Sequence, residues 1–331
     1  MMHMIEPCSI LLYNHNVMDI VSKFKEFALK TGFCAKFSFN EPMASKTTFK
    51  IGGNALVFVE PEDVSQILDL LLWTKKYSVP FFILGGGSNI VFTDSTYNGL
   101  VISTSKLNSI SMAEGEDSIA YVKCECGVPI SSLVRFCISN DLWGIQEFSG
   151  LPGTVGGALF MNARCFEKSI SDLLVSAVCI DLNKKSVEEY FFNQSDWGYK
   201  SSPFCNKNKL VLSAQFRLEK HGLDEHEQLK ELCRDFINQR KQKGHFDYPS
   251  AGSVFKNNRN FGLPSGKIID DCGLRGMRRG DAQVAPFHGN FIINLGAATQ
   301  KDVKSLVESV VNEVRNKTGF ELETEIIFVD K

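Results

Sequence analysis

The stretch ALVFVEPEDVSQILDLLLWTKKYSVPFFILGGGSN, residues 55–89, decides the fold of this chain. Its opening run ALVFVE predicts a strand, and VPFFIL predicts a second strand. Between these runs, apolar residues recur at helical spacing, at Val64, Ile67, Leu68, Leu71 and Leu72. Pro61 suits the first position of that helix. A strand, a helix and a strand within about thirty residues indicate a βαβ unit with parallel strands, which leads directly into GGGSN.

Residues 99–218, downstream of this unit, are rich in predicted strands. The strands are GLVIST, SIAYVKCEC, LVSAVCIDL, SVEEYFF and KLVLSAQFRL, with a hairpin turn at LNKKS (182–186). A helix over Ser131–Asn140 and the glycine-rich segment SGLPGTVGGALFMNA (149–163) interrupt them. This alternation predicts a second, strand-rich unit.

Both ends of the chain carry helical patterns. Val17–Thr31 predicts a helix after a loose extension of about fifteen residues. The polar stretch HGLDEHEQ (221–228) predicts a domain linker, followed by an amphipathic helix that ends near Lys243. A last helix begins at a capping box of Thr299 and Asp302. The closing ELETEIIFVD predicts a strand.

The composition excludes several classes of protein. The chain has 331 residues with 44% apolar and 22% charged residues, and its net charge of −2 provides no basic field for nucleic acid. Its ten cysteines are spread along the chain, which favours reduced thiols over a disulfide scaffold. Cys124-Glu-Cys126 lacks the spacing of a zinc site, so we expect no metal. Without a signal peptide or a membrane-spanning run, we expect a cytoplasmic protein with no membrane partner.

Two glycine-rich loops are candidate phosphate sites. In ILGGGSNIV (83–91), consecutive backbone N–H groups can wrap a pyrophosphate, although a plain turn explains a single glycine triplet equally well. The loop is neither a Rossmann fingerprint nor a P-loop. SGLPGTVGGALFMNA is a second such loop and TTFKIGG (47–53) a third candidate. Together they predict a long diphosphate ligand.

The order of the motifs resembles that of one enzyme family. TTFKIGG, ILGGGSNIV, SGLPGTVGGALFMNA, GYKSSPF, R-x-x-K before YPSAGSVFKN, GDAQVAPFHGNFIIN and LETEI resemble the motifs of the UDP-N-acetylenolpyruvoylglucosamine reductases, across residues 44–328. The short spacing between GYKSSPF and SAGSVF is similar to that of the shorter subtype, which lacks an extra tyrosine-bearing loop. The resemblance implies an α+β fold, with a two-subdomain FAD-binding module of the vanillyl-alcohol-oxidase (PCMH) type and a C-terminal α/β substrate domain.

The resemblance also implies a division of the chain and a reaction. The expected parts are an N-terminal extension and helix at 1–40, FAD-binding subdomains at 41–104 and 105–220, a substrate-binding domain at 226–320 and a closing strand at 321–331. NADPH would give a hydride to flavin N5, and NADP would then leave. The reduced flavin would convert UDP-N-acetylglucosamine enolpyruvate to UDP-N-acetylmuramate for peptidoglycan synthesis. FAD and NADPH are the expected cofactors, and we expect a monomer.

Site residues follow from matching the motifs. The expected flavin contacts are Gly85, Gly86, Gly87, Ser88, Asn89, Pro152, Gly153, Thr154, Val155, Gly156, Gly157, Met161 and Asn162. The expected substrate contacts are Tyr199, Lys243 and Asn257. The expected catalytic residues are Ser253 as proton donor, with Lys200 and Glu325 at the substrate carboxylate. Glu323, on the same face of the predicted strand, is the alternative to Glu325; Arg240 is a further candidate contact, and His288 is expected to be structural.

Lys200 departs from the family pattern, which has Y-R-x-S where this chain has Tyr199-Lys200-Ser201-Ser202. Lysine keeps the charge but loses the planar fork that grips a carboxylate at two points. Either Lys200 acts as a point charge or a nearby arginine, such as Arg164, takes over.

Two other functions remain open at this stage. The first is a different oxidoreductase on the same FAD fold. The second is a nucleotide-sugar-binding flavoprotein with impaired catalysis, which the Lys200 substitution favours and the presence of Ser253 and Glu325 disfavours.

Overall fold

The computed structural model describes residues 8–206 and 208–330. The helices are α1 (Cys8–Thr31), α2 (Val64–Tyr77), α3 (Ile130–Ser139), α4 (Val155–Phe160), α5 (Pro203–Asn206), α6 (His226–Gln242), α7 (Ser265–Asp271) and α8 (Gln300–Thr318). The strands are β1 (Lys36–Pro42), β2 (Asn54–Glu60), β3 (Phe81–Leu84), β4 (Ile90–Phe92), β5 (Tyr97–Ser103), β6 (Ile110–Glu114), β7 (Ile119–Glu125), β8 (Leu142–Trp143), β9 (Arg164–Cys165), β10 (Lys168–Ser169), β11 (Leu174–Asp181), β12 (Ser186–Phe191), β13 (Lys209–Lys220), β14 (Ser250–Ser253), β15 (Arg278–Arg279), β16 (Ala282–Val284), β17 (Phe291–Asn294) and β18 (Ile327–Val329).

The predicted βαβ unit forms the first sheet. Its strand order is β1-β2-β5-β3, and both β2 and β3 run parallel to β5, which lies between them. The position predicted for Pro61 is wrong: α2 begins at Val64, and the side chain of Asp63 caps it by accepting the N–H of Gln66 at 2.9 Å. The carboxylate satisfies one of the backbone donors that the first turn of a helix leaves without a partner inside the helix. The sheet thus delivers the chain at Leu84 into the first glycine loop.

The strand-rich middle of the chain forms an antiparallel sheet in the order β12-β11-β13-β7-β6. Four of the five strands predicted for residues 99–218 lie in this sheet, whereas the fifth, GLVIST, is β5 of the first sheet. The additional strand β6 has exposed positions that hid it from hydrophobic patterning. Cys124 and Cys126 are buried free thiols on β7, where burial raises the pKa of each to about 12. Among the residues that the structure describes, no cluster of three or more His, Cys, Asp or Glu side chains is arranged for a metal.

The C-terminal part builds a third sheet, in the order β14-β17-β16-β15, against α7 and α8. The capping box predicted for the last helix is confirmed: the Thr299 side chain accepts the N–H of Asp302 at 3.1 Å, and Asp302 accepts the N–H of Thr299 at 3.0 Å. The apolar face of α8 is buried against this sheet. This unit presents β14, and with it Ser253, towards the glycine loops.

Three boundary predictions are wrong. The chain is helical from Cys8 rather than loosely extended, while residues 1–7 lie outside the described part. The linker predicted at 221–228 is shorter, because α6 already begins at His226. Only Ile327–Val329 of the closing segment form a strand, which pairs in parallel with β4. Upstream of it, Thr324 makes only an isolated bridge to Phe255, so Glu323 and Glu325 are not held on one regular strand.

No helix in the described part of the chain is both long and apolar enough to cross a membrane.

Candidate active site

A cleft of about 1010 Å³ collects the predicted loops from distant parts of the sequence. Its walls include the first glycine loop, the second glycine loop, Lys200, β14 and Glu325. Pockets for small molecules and cofactors usually have volumes of about 300–1,000 Å³. The cleft is therefore large enough for a dinucleotide-sized ligand.

One wall of the cleft, the glycine wall, consists of Gly85–Asn89 and Pro152–Gly157. The two loops touch through their backbones: a Cβ added to Gly86 would lie 2.6 Å from Cα of Gly153. Gly87 has φ +62°, and a Cβ on it would lie 2.2 Å from the carbonyl oxygen of Lys46. The Ser88 hydroxyl donates to the carbonyl of Pro152 at 3.3 Å. Close packing between loops therefore requires these glycines, independently of any ligand.

The second glycine loop ends in the short helix α4. Thr154 caps it by accepting the N–H of Gly157 at 3.4 Å. Thr154, Gly156, Gly157 and Met161 line the cleft. Val155 and Asn162 are 0% and 5% exposed and do not line it, so their side chains face the protein interior.

A second wall of the cleft, the charged wall, is formed by the buried ion pair of Lys200 and Glu325. Lys200 Nζ lies 2.5 Å from Glu325 Oε1, and the two side chains are only 14% and 10% exposed. Lys200 has a left-handed backbone, with φ +54°. Burial raises the pKa of Glu325 above its usual range, although the Lys200 charge opposes the rise. Desolvation thus outweighs attraction at this carboxyl group.

Ser253 lies at the end of β14, where it pairs with Phe291 of β17. Its side chain is half-buried, lines the cleft and makes no hydrogen bond to any residue in the described ranges. A backbone hydrogen bond connects this segment to the ion pair: the carbonyl of Val254, the residue after Ser253, accepts the N–H of Glu325 at 2.7 Å. Asn89 Nδ2 donates to the carbonyl of Glu325 at 3.1 Å, which ties the first glycine loop to the same segment.

Asn290 is a positioning residue that the sequence analysis missed. It is 4% exposed. Its side chain accepts the N–H of Phe255 and donates to the carbonyl of Phe255, both at 2.8 Å, so it mimics a strand beside the Ser253 segment.

The three predicted substrate contacts flank the cleft without lining it. The hydroxyl of Tyr199 accepts the N–H of Asn257 at 3.2 Å, and Asn257 Oδ1 accepts the N–H of Ser265 at 2.8 Å. Lys243 is exposed, with Nζ 5.7 Å from the ring centroid of Phe166. Their role as substrate contacts stays a prediction.

The alternatives named for the ion pair occupy other positions. Glu323 is 72% exposed and pairs with Lys256 at 2.5 Å, outside the cleft. Arg164 lines the cleft, but its guanidinium pairs with Glu167 at 2.5 Å and donates to Ser169 at 3.4 Å. Its charge is therefore shared with a carboxylate of its own turn, whereas Lys200 contacts Glu325.

Arg240 and His245 also line the cleft. Arg240 is 8% exposed, and its Nε donates to the carbonyl of Ser149 at 2.9 Å, which holds the second glycine loop. Burial, together with the His288, Arg240 and Lys243 charges, lowers the pKa of His245 to about 4, so its imidazole is neutral at pH 7. No motif pointed to His245, because its place in the cleft comes from the fold.

The glycine wall fits a flavin dinucleotide. Its loops offer mainly backbone to the cleft. Lys50 lines the same space with positive charge, whereas the charge of Lys209 is paired with Glu188 at 2.5 Å. Backbone N–H groups and cations are the partners that a diphosphate requires.

Comparisons with known proteins agree with this geometry. Residues 55–185 match the profile of an FAD binding domain, which, with the fold and the cleft, defines the class: an FAD-binding oxidoreductase. Residues 244–329 match the profile described as UDP-N-acetylenolpyruvoylglucosamine reductase, C-terminal domain.

The reductase of Treponema denticola is 44% identical over 301 residues, covering 88% of this chain and 92% of the relative. That of Borreliella burgdorferi is 39% identical over 292 residues, covering 87% and 92%. The crystal structure of the Thermus caldophilus reductase superposes with a TM-score of 0.72 at 26% identity, covering 90% of this chain and 99% of that one. The chain belongs to the UDP-N-acetylenolpyruvoylglucosamine reductase family and is an oxidoreductase of peptidoglycan precursor synthesis. The family and the fold class predicted from the motifs are confirmed.

Proposed function

We propose that this enzyme uses NADPH and FAD to reduce UDP-N-acetylglucosamine enolpyruvate to UDP-N-acetylmuramate, with Ser253 as the proton donor. The observation that carries the proposal is the meeting, in one cleft, of the glycine wall, the Lys200–Glu325 pair and the hydroxyl of Ser253, which has no hydrogen-bond partner among the described residues. We further propose that the protein acts as a cytoplasmic monomer, with FAD-binding subdomains at 41–104 and 105–220 and a substrate-binding domain at 226–320.

The residues that would hold the flavin are Gly85–Asn89, Pro152, Gly153, Thr154, Gly156, Gly157 and Met161. Bound there, FAD would supply a two-electron carrier between NADPH and the enol ether. The backbone amides of the first loop would bind its diphosphate, whereas those of Val155, Gly156 and Gly157 already donate within the protein. The absence of side chains on the glycines keeps the approach open.

Lys200 and Glu325 would act on the substrate carboxylate. Hydride addition to the far carbon of the enol ether drives negative charge towards that carboxylate, and a fixed cation stabilises this charge. Glu325, whose pKa burial raises above its usual range, contacts Lys200 and would hold this ammonium group beside the substrate carboxylate. Lys200 would supply the positive charge beside it.

Ser253 would deliver the proton to the carbon next to the carboxylate. A serine hydroxyl is a weak acid, so the transfer requires that the carbon already carries enolate charge and that the donor is held close. β17 and Asn290 fix the backbone of the Ser253 segment. Since its hydroxyl makes no hydrogen bond within the described part of the chain, the proton is free to point into the cleft.

Lysine is sufficient at position 200 in this geometry. The contact with Glu325 is made by Nζ, as a point charge, without a bidentate fork. The pairing of Arg164 with Glu167 supports Lys200, rather than Arg164, as the cation of the site. We expect Lys200→Arg to leave the turnover unchanged or to lower it, and a clear increase would show that lysine is a handicap.

The test is a visible absorption spectrum of the purified holoenzyme, recorded anaerobically through the addition of NADPH and then of the enolpyruvyl sugar nucleotide. We expect the flavin band to bleach with NADPH and to return with the substrate. A band that stays bleached would favour a flavoprotein with impaired catalysis or a different substrate. A protein that remains colourless after addition of FAD would contradict the flavin site itself.

A further inference from the structure

Lys200 sits at the tip of a tight turn, Gly198–Ser202, named here the 200 turn. Gly198 and Ser201 close it through two backbone hydrogen bonds, of 3.1 and 3.2 Å. Tyr199 and Lys200 form its tip, and the side chain of Lys200 reaches Glu325. Because the tip is short, any shift of the turn displaces the ammonium group relative to Glu325.

Two side-chain hydrogen bonds fasten the base of the 200 turn to the end of α4. Asn162 Nδ2 donates to the carbonyl of Gly198 at 2.8 Å. The Ser202 hydroxyl donates to the carbonyl of Phe160 at 2.7 Å. Asn162 and Ser202 are 5% and 0% exposed, so water does not compete for either bond. Since α4 begins at the second glycine loop, these bonds connect the glycine wall to the charged wall.

The side chain of Asn162 is not explained by local backbone geometry alone. Its φ of +43° favours glycine or asparagine, but glycine would meet that requirement without an amide. Its Oδ1 is buried without a partner in the described part of the chain, which costs stability. Nor does the side chain line the cleft. The hydrogen bond from Nδ2 to the 200 turn is therefore the remaining reason for an asparagine at this position.

We propose that Asn162 is a positioning residue for Lys200, which sets the ammonium group at Glu325 by anchoring the 200 turn to the helix that follows the second glycine loop. Its effect belongs to the step in which the sugar nucleotide reoxidises the flavin. The inference rests on the proposed function of Lys200 in that step.

The principal test is Asn162→Gly, which keeps the left-handed backbone available and removes the donor. Both half-reactions of the holoenzyme would be followed separately by anaerobic stopped-flow absorbance. We expect reoxidation by the sugar nucleotide to slow by roughly 10- to 100-fold, since misplacing a catalytic group by about 1 Å can have that effect. Flavin content and the rate of reduction by NADPH should stay at the wild-type values.

Asn40→Gly is the matched control, because Asn40 also has a left-handed backbone, with φ +54°, and is exposed outside the cleft. It should leave both half-reactions unchanged. Should Asn162→Gly fail to fold, Asn162→Asp keeps the shape of the side chain and removes the donor, and Ser202→Ala removes the second bond. Either variant should slow the same half-reaction.

A double-mutant cycle decides whether Asn162 acts through Lys200. In a Lys200→Met background, Asn162→Gly should cause no further loss. A full additional loss, or equal slowing of both half-reactions with loss of FAD, would overturn the proposal and place Asn162 at the flavin instead.

A readout independent of turnover separates this inference from the proposed function. Lys200 lowers the pKa of Glu325. Asn162→Gly should therefore raise the pKa of Glu325, measured by carbon-13 NMR, in the same direction as Lys200→Met. An unchanged value would overturn the positioning role. A wild-type enzyme that is reduced by NADPH but not reoxidised by the sugar nucleotide would instead contradict the proposed substrate, and the NMR result would still decide the inference.

Discussion

The two walls of the cleft are built by different means. The glycine wall is made of backbone packed on backbone, with Gly86 against Gly153 and Gly87 against Lys46, and its shape follows from excluded volume. The charged wall is made of side chains, and its geometry follows from the pairing of Lys200 with Glu325 at 2.5 Å in a nearly water-free place. Substitutions in the glycine wall should change FAD binding, and substitutions in the charged wall should change the rate of the chemical step.

The closing segment shows the same difference on a smaller scale. Glu323 and Glu325 each pair with a lysine at 2.5 Å, but Glu323 is 72% exposed and Glu325 is 10% exposed. Exposed ion pairs contribute little to stability. In a buried ion pair, the cost of desolvating the charges offsets a large part of their attraction. Distance alone therefore does not identify the functional pair.

The largest expected effect is that of Ser253→Ala. Removing the proton donor should slow reoxidation by the sugar nucleotide by roughly 10²- to 10⁴-fold, because general acid catalysis supplies a factor of that size. Reduction by NADPH should be unaffected. Ser250→Ala, on the same strand β14, is the control for stopped-flow measurements. An equal loss in that control would mean that the strand, rather than the Ser253 hydroxyl, matters.

Glu325→Gln should follow, with reoxidation slowed by about 10²- to 10³-fold, because it removes the carboxylate that holds Lys200 at the site of the developing charge. Glu323→Gln should leave the rate unchanged, because its carboxylate lies outside the cleft. Similar losses of the reoxidation rate in both variants would contradict a special role for the buried Glu325 over the exposed Glu323.

Stability should respond in the opposite direction to activity. Replacing both charges by Lys200→Met with Glu325→Gln should leave the free energy of unfolding at pH 7 unchanged or raise it by roughly 1–4 kcal/mol. The outer pair, replaced in the same way by Lys256→Met with Glu323→Gln, should change it by less than about 1 kcal/mol. Chemical denaturation followed by circular dichroism measures both.

The dependence of stability on pH shows whether desolvation or attraction dominates at the Lys200–Glu325 pair, named here the inner pair. The native pKa of Glu325 lies above its ordinary value of 4.5, so the native state retains this proton more readily than the unfolded chain. The wild-type enzyme should therefore lose stability relative to the inner-pair double variant as the pH rises from about 4.5 through the raised pKa. A relative gain over that window would mean that attraction to Lys200 outweighs desolvation.

The prediction for the glycine wall concerns stability and FAD binding rather than the chemical step. Gly86→Ala forces the two loops apart and should cost about 1–3 kcal/mol of stability, with loss of FAD. In Gly157→Ala the new Cβ would lie 3.6 Å from Thr154 Oγ1, an ordinary contact, so stability should be preserved. Flavin content and thermal midpoints would be compared. Loss of FAD from a stable Gly157→Ala protein would sharpen the assignment of this wall to the flavin.

Local pattern and motif order were enough for most of the fold. Local spacing predicted β2, β3 and β5 of the first sheet, β7, β11, β12 and β13 of the second, and the capping box of α8, because each depends on neighbouring residues. The family followed from the resemblance of the ordered motifs. Predictions failed where the local sequence allows more than one start for a helix. Asp63 caps α2 although Pro61 offered an earlier start, and α6 begins within a stretch whose polarity resembled a linker.

The sequence by itself determined which residue types are available for the chemistry: the glycine loops, a serine among small residues, and a lysine in place of an arginine. Only the tertiary structure decided how they act. It paired Lys200 with a residue 125 positions away, buried Glu325 while it left Glu323 exposed, and turned Asn162 away from the cleft towards the 200 turn. Desolvation and long-range contact have no signature in a short stretch of sequence, because both depend on what the rest of the chain places around a side chain.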